Sequence, residues 1–253
     1  MTIHILTSWS GKLWERYAHN FARSFERHGP VGATLHVYLE DCSSSVLEPY
    51  QSRGTTIAHN LEKESKPWRE FMIAHAGDQV KNGRRQDSRF AWKEKWLQAQ
   101  YAFRWDAVRF SRKVYALAHC AEKVQGEKLF WLDADIVFTE HLTQDNFERW
   151  LPSEYDVSHL GRGDSYHSEC GFVGYNLARP SAVSFVQEFV RMYDSGEIFD
   201  LKEWHDSFIF DHVRRTTGVK SLSLSNNDRR SDVFATSPLG RYMRHFKGDA
   251  KRG

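Results

Sequence analysis

Apolar residues open the chain in a short run over residues 3–6, and the polar sequence Thr7-Ser8-Trp9-Ser10-Gly11 follows. This pattern predicts a strand running into a turn. Leu13, Tyr17, Phe21 and Phe25 then recur at every fourth position, the stripe of an amphipathic helix over residues 12–27, and His28-Gly29-Pro30 stops it. Alternation over residues 33–39 predicts a second strand, and residues 55–58 a short third. Val108, Val114, Leu117, Ala118 and Ala121 predict a helix over residues 106–124, which leads through Gly126 into the apolar strand Leu129-Phe130-Trp131-Leu132. Beyond residues 136–138 the pattern mixes. A Gly-bounded strand is expected over residues 171–177, a helix from Pro180 to residue 193, another helix over residues 203–215 and a strand over residues 219–224. Strand, helix, strand at this spacing predicts an α/β layer with a mixed, mostly parallel sheet, in which ligands gather at the carboxyl ends of the strands.

Residues 62–105 carry no strand signal. Lys81, Arg84, Arg85, Arg89, Lys93 and Lys95 are interleaved there with Phe90, Trp92, Trp96, Tyr101, Phe103 and Trp105. The expectation is a helical insertion or lid. Trp92 and Trp96, four apart, either dock a helix on the core or form a platform for an acceptor. No repeat, low-complexity tract or Pro/Gly-rich linker divides the chain, so residues 1–253 are expected to form a single domain.

Composition narrows the classes. The 253 residues are 40% hydrophobic and 27% charged, and no apolar run approaches the roughly 18 residues of a membrane-spanning helix. Thirty-five basic against 33 acidic residues leave +2, too little for nucleic-acid binding over the whole surface. Nine Trp in an aromatic content of 14% exclude a disordered or collagen-like chain. Cys42, Cys120 and Cys170 are too far apart for a CxxC pattern, and their odd number argues against a disulfide-stapled secreted protein. With no signal-peptide pattern at Met1 and no Asn-x-Ser/Thr acceptor, the expected compartment is the cytoplasm.

Two segments carry chemistry. Asp133-Ala134-Asp135 follows four apolar residues directly, and carboxylates two apart in an extended chain point the same way. Such a close acidic pair is tolerated where a hard divalent cation sits between its oxygens, although the end of a strand reaching water would look the same. About 110 residues later comes His245-Phe246-Lys247-Gly248-Asp249-Ala250-Lys251. Its His offers a further metal ligand, Gly248 a close backbone approach to an anion and Lys251 a point charge for phosphate. The segment 241–253 holds five basic residues against the single Asp249. A solvated basic tail is the plainer reading.

Together the paired motifs resemble the glycosyltransferases of the GT-A fold, with its Rossmann-like nucleotide-binding layer. The resemblance is greatest to glycosyltransferase family 8, which contains glycogenin and bacterial lipopolysaccharide galactosyltransferases. The order of elements agrees from Ile3 to Lys251: Arg109 to Lys113 precede the metal motif, Gly171-Phe172-Val173-Gly174-Tyr175-Asn176 follows it, and Trp204-His205-Asp206-Ser207 stands near the acceptor position. The resemblance implies transfer of a hexose from a nucleoside-diphosphate sugar, UDP-glucose or UDP-galactose, to an unnamed acceptor with retention of configuration. It implies Mn²⁺ or Mg²⁺ on Asp133, Asp135 and His245. Donor binding falls to Thr7, Ser8, Trp9, Arg109, Lys113, Asp133, Ala134, Gly248 and Lys251. Candidate catalytic residues are Asp206, Glu169 and Lys113, and candidate acceptor contacts are Trp92, Trp96 and His205; the basic stretches would suit an anionic acceptor. The chain departs from the family at Glu169-Cys170-Gly171, at His205-Asp206-Ser207 and at Arg252. Two rivals stay open. One is a two-metal nuclease built on Asp133, Asp135 and Asp206 with the basic insertion on nucleic acid; the other is a binding module of the same fold without transfer.

Overall fold

The computed structural model describes residues 2–85, 100–163, 166–226 and 232–247. The first strand, β1 (Ile3–Ser10), runs four residues further than its apolar run suggests. Two things extend it: Trp9 is buried, and pairing with the next strand continues through Ser10 opposite Glu40. The helix that follows has three registers: α1 (Gly11–Leu13), a π-helical stretch (Trp14–Ala18) and α2 (His19–His28). Then come β2 (Thr34–Glu40) and β3 (Thr55–His59).

The helical insertion or lid expected over residues 62–105 is helical only in its first part among the described residues. Residues 61–106 hold α3 (Leu61–Glu64) and α4 (Lys66–His75), but also an antiparallel pair, β4 (Asn82–Arg85) with β5 (Gln100–Asp106). Tyr101, Phe103 and Trp105 alternate with Ala102, Arg104 and Asp106, a period-two pattern of aromatic residues that favours a strand. Trp92 and Trp96 lie outside the described residues.

The rest of the chain keeps the predicted helices and strands in order and adds two short strands that pair with each other, a helix over residues 144–150 and a strand over residues 157–160, none of which the pattern predicts. It comprises α5 (Ala107–Lys123), β6 (Lys128–Leu132), β7 (Ile136–Phe138), α6 (Gln144–Trp150), β8 (Val157–Leu160), β9 (Glu169–Asn176), α7 (Pro180–Asp194), α8 (Asp206–Thr217), β10 (Ser221–Ser223) and β11 (Met243–His245). Among the described residues, seven strands form one sheet in the order β10-β8-β9-β6-β1-β2-β3. β3, β2, β1 and β6 are parallel, β9 runs against both of its neighbours, and β10 is parallel to β8.

Period-two alternation fills both faces of the sheet. Leu129 and Trp131 of β6 join α4, α5, α7 and α8 on one side, while Phe130 and Leu132 join α2, α6 and β7 on the other. No helix among the described residues is long and apolar enough to cross a membrane.

Candidate functional site

After β1 the chain builds β2 and β3 on one side of it, and β6 returns on the other side. In a parallel sheet this reversal opens a crevice at the carboxyl ends of the two diverging strands. A cleft of about 660 Å³ occupies that position. Ser8, Trp9 and Ser10 line it from β1, Arg16 and Tyr17 from the π-helical stretch, Arg109 and Lys113 from α5, and Asp133, Ala134 and Asp135 from the loop after β6. The π register, a feature common at functional sites, leaves Arg16 and Tyr17 on the cleft wall. Burial, then the charge of Asp135, pushes the Tyr17 phenol up to about 12.

Asp133, Asp135 and His245 converge although 110 residues separate the last two. β11 pairs antiparallel with β7 and sets His245 opposite Ile136, beside Asp135. Ligand atoms of the three side chains all lie within 4.8 Å of one another. His245 Nε2 is 2.9 Å from Asp135 Oδ1 and 3.8 Å from Asp133 Oδ2. The imidazole rests on Gly171, where a Cβ would come within 2.5 Å of its Cε1 and 2.8 Å of its Nδ1. Any larger residue at 171 would displace the ring. Behind the ring, Glu169 Oε1 lies 3.4 Å from Nδ1, while its Oε2 accepts from Arg162 at 2.9 Å and from Lys247. Burial lowers the pKa of His245, but Asp135, then Asp133 and Glu169, outweigh burial and raise it.

Lys113 organises the opposite wall. Its ammonium donates to Cys170 O at 2.5 Å, Asp206 Oδ2 at 2.7 Å and Asp133 Oδ1 at 3.4 Å, and stands 4.8 Å above the Trp131 ring. Burial alone would lower its pKa; Asp133 and Asp206 reverse that and raise it, while Lys113 holds Asp206 below the usual carboxylate range. Trp131 Nε1 donates to Asp133 Oδ1 at 2.6 Å. One oxygen of Asp133 is thus anchored by Lys113 and Trp131, and the other faces His245. Asp206 occupies the first turn of α8, where the helix dipole favours an anion.

This donor set fits a divalent cation. Two ligands about 2.0–2.2 Å from an ion stand roughly 3 Å apart, close to the Asp135–His245 separation, and the set combines hard carboxylate oxygens with one imidazole. Of the carboxylates nearby, Asp206 pairs with Lys113, which Asp133 shares, and Glu169 pairs with Arg162 and Lys247.

Other expected residues fall elsewhere. Thr7 is fully buried in the sheet and does not line the cleft; it sits further from the carboxyl end of β1 than Trp9, which shares its face and does line it. His205 is likewise buried off the cleft, its Nε2 2.9 Å from Glu203 Oε2. Gly248 and Lys251 lie outside the described residues. Two side chains not among the expected site residues also line the cleft: Trp131, which holds Asp133, and Arg112, from the basic stretch that the resemblance sets near the donor, which pairs with Glu40 at 2.8 Å. Trp131 was hidden in its apolar run, and Arg112 was one cation among several on α5.

No family model and no curated protein matches the chain by sequence. Among solved structures it is similar to the glycosyltransferase GlyE of Streptococcus pneumoniae TIGR4, with a TM-score of 0.53 at 15% identity over 89% of this chain and 46% of GlyE. The chain therefore spans about half the length of GlyE. It is also similar to mouse xyloside xylosyltransferase 1 in its apo form, with a TM-score of 0.54 at 11% identity over 100% of this chain and 99% of that one. At such identities the likeness is one of fold: the chain has the mixed α/β architecture of these glycosyltransferases, with a mostly parallel sheet flanked by helices.

Proposed function

We propose that the protein is a metal-dependent glycosyltransferase that moves a hexose from a nucleoside-diphosphate sugar, UDP-glucose or UDP-galactose, to an acceptor. The convergence of Asp133, Asp135 and His245 at the mouth of the β1/β6 crevice carries this reading. Asp133 Oδ2, Asp135 and His245 would hold Mn²⁺ or Mg²⁺, and the bound ion would neutralise charge on the departing diphosphate. Gly171 leaves room for the His245 ring, and the Glu169 carboxylate stands behind it. Lys113 and Trp131 fix Asp133 so that its free oxygen stays turned toward His245. Ser8 and Ser10 offer hydroxyls to the base and ribose at the end of β1, and Arg16 and Arg109 offer guanidinium forks to phosphate oxygens. Asp206, ionised and held beside the cleft by Lys113, faces the place where the transferred sugar would lie. Retention by same-face attack accords with the family 8 resemblance.

A two-metal nuclease would need a second cation shared by Asp133 and Asp206. The Lys113 ammonium already stands between those carboxylates, 3.4 Å from one and 2.7 Å from the other. The transferase reading is favoured on that ground.

Hydrolysis of a panel of nucleotide sugars with Mn²⁺ tests it. The wild-type chain should turn over at least one donor, and Asp135→Ala and His245→Ala should each cut that rate by about 100-fold or more, equivalent to ~3 kcal/mol of transition-state stabilisation. Turnover that persists in both variants would reject the metal assignment. Duplex cleavage with no donor turnover would favour the nuclease, and UDP binding without hydrolysis the binding module.

A further inference from the structure

A second set of metal-capable side chains lies away from the cleft, at the β3 edge of the sheet. His59 is the last residue of β3, Glu64 the last of α3, and His119 sits on the face of α5 that covers them. Their ligand atoms all lie within 4.8 Å of one another. His59 Nδ1 is 3.1 Å from Glu64 Oε2, and His119 Nε2 is 3.8 Å from the same oxygen. Ligands 2.0–2.1 Å from a tetrahedral ion stand roughly 3.4 Å apart, a value these two separations bracket.

Each imidazole is also held from behind, as metal-binding histidines are. His59 Nε2 lies 3.1 Å from His36 Nδ1, and His119 Nδ1 lies 2.7 Å from the Tyr38 hydroxyl. His36 and Tyr38 are two apart on β2 and therefore share a face. The line continues to β1, where His4 Nδ1 is 3.0 Å from His36 Nε2. The outer nitrogens are thus occupied, and His59 Nδ1 and His119 Nε2 both turn toward one carboxylate. Lys123 Nζ stands 4.0 Å from Glu64 Oε2, but at 45% exposure its flexible stem can carry the ammonium into solvent.

We propose that His59, Glu64 and His119 form a second metal site, one that takes a zinc-class divalent ion with water in the fourth position. Two imidazoles and one carboxylate select zinc or cobalt over the manganese or magnesium suited to the oxygen-rich cleft. The ion would tie the edge strand β3 and the short α3 to α5. His119 lies seven residues beyond Arg112, about 10 Å along the helix, so the clamp would brace the helix that carries Arg109, Arg112 and Lys113 into the cleft.

The test uses the whole chain, stripped with a chelator and titrated with Co²⁺ as the spectroscopic probe and Zn²⁺ by calorimetry. Wild-type and Asp135→Ala chains should each bind one ion that gives the intense visible band of tetrahedral Co²⁺. Glu64→Ala and His119→Ala should lose that band and bind Zn²⁺ about 100-fold or more weakly. Glu64 is one-third exposed, so its truncation leaves no buried cavity, and that variant decides the matter if His119→Ala fails to fold. Absence of a tetrahedral band in the wild type, or its survival in Glu64→Ala, would overturn the proposal.

Discussion

Lys113 shows how a single side chain can hold both walls of the cleft. Its ammonium is buried against Asp133, Asp206 and the Cys170 carbonyl, so removing it strands a carboxylate in a site built for its partner. Breaking a buried pair from one side costs about 3–5 kcal/mol, whereas replacing both partners costs much less. Lys113→Met should therefore lower the unfolding free energy by ~3–5 kcal/mol, and adding Asp206→Asn should recover at least about half of that loss. Denaturant titration of the three chains reads this directly, and a Lys113→Met chain within ~1 kcal/mol of wild type would show that the pair is not buried as described. At this scale the meeting of Asp133, Asp135 and His245 was legible only through the resemblance that the two motifs carry together, because a carboxylate pair after an apolar strand also suits a strand end that reaches water. The supports were not. Trp131 reads as core until its Nε1 is seen on Asp133, and Gly171 reads as a strand glycine until the His245 ring is seen against it.

Strands and helices with a clear period fall where the pattern puts them, and the departures have local causes. β1 outruns its apolar stretch because β2 continues to pair with it, and the aromatic alternation of β5 was masked by the cations interleaved through the same segment. That same extension of β1 buries Thr7 and leaves Ser8 and Ser10 to face the cleft. β8 carries a less visible consequence. His159 is buried there beside the Phe210 ring, and burial first, then the Arg214 charge, lowers its pKa to about 4 against the opposing pull of Asp211. The unfolded chain takes up this proton near pH 6.5 and the folded chain only near 4, so the stability His159 permits is complete above pH 6.5 and is lost as pH falls toward 4. His159→Leu should flatten that limb. Between pH 6.5 and 5 the variant should lose about 1.5 kcal/mol less than wild type, measured by urea titration at the two pH values. Parallel pH profiles for the two chains would mean that the folded protein takes up the proton as readily as the unfolded one.

Across the whole molecule, periodicity foretold an α/β layer but not the meeting of residue 135 with residue 245, which depends on the β7–β11 pairing of two three-residue strands too short to announce themselves. The paired motifs brought these residues together through family resemblance, and the sheet order supplies the physical reason: the chain reverses direction of growth at β1, and the crevice opens beside β6. A ligand seated there touches β1, α5, the loop after β6 and the start of α8, elements that draw on both faces of the core. Its binding energy should therefore appear as stability of the whole fold. At a free concentration 100 times its dissociation constant, a ligand that binds only the folded chain adds about 2.7 kcal/mol, and for a domain of this size each kcal/mol moves the melting temperature by about 2–4 °C. UDP with Mn²⁺ should raise Tm by about 5–10 °C under those conditions, and the same UDP with a chelator in place of Mn²⁺ should raise it by less than about 2 °C. In Asp135→Ala the two conditions should become indistinguishable, since the variant lacks a ligand of the proposed ion. Equal shifts with and without Mn²⁺ in the wild-type chain would instead place the nucleotide on the cationic wall of Arg16, Arg109 and Arg112 and remove the metal from the binding step.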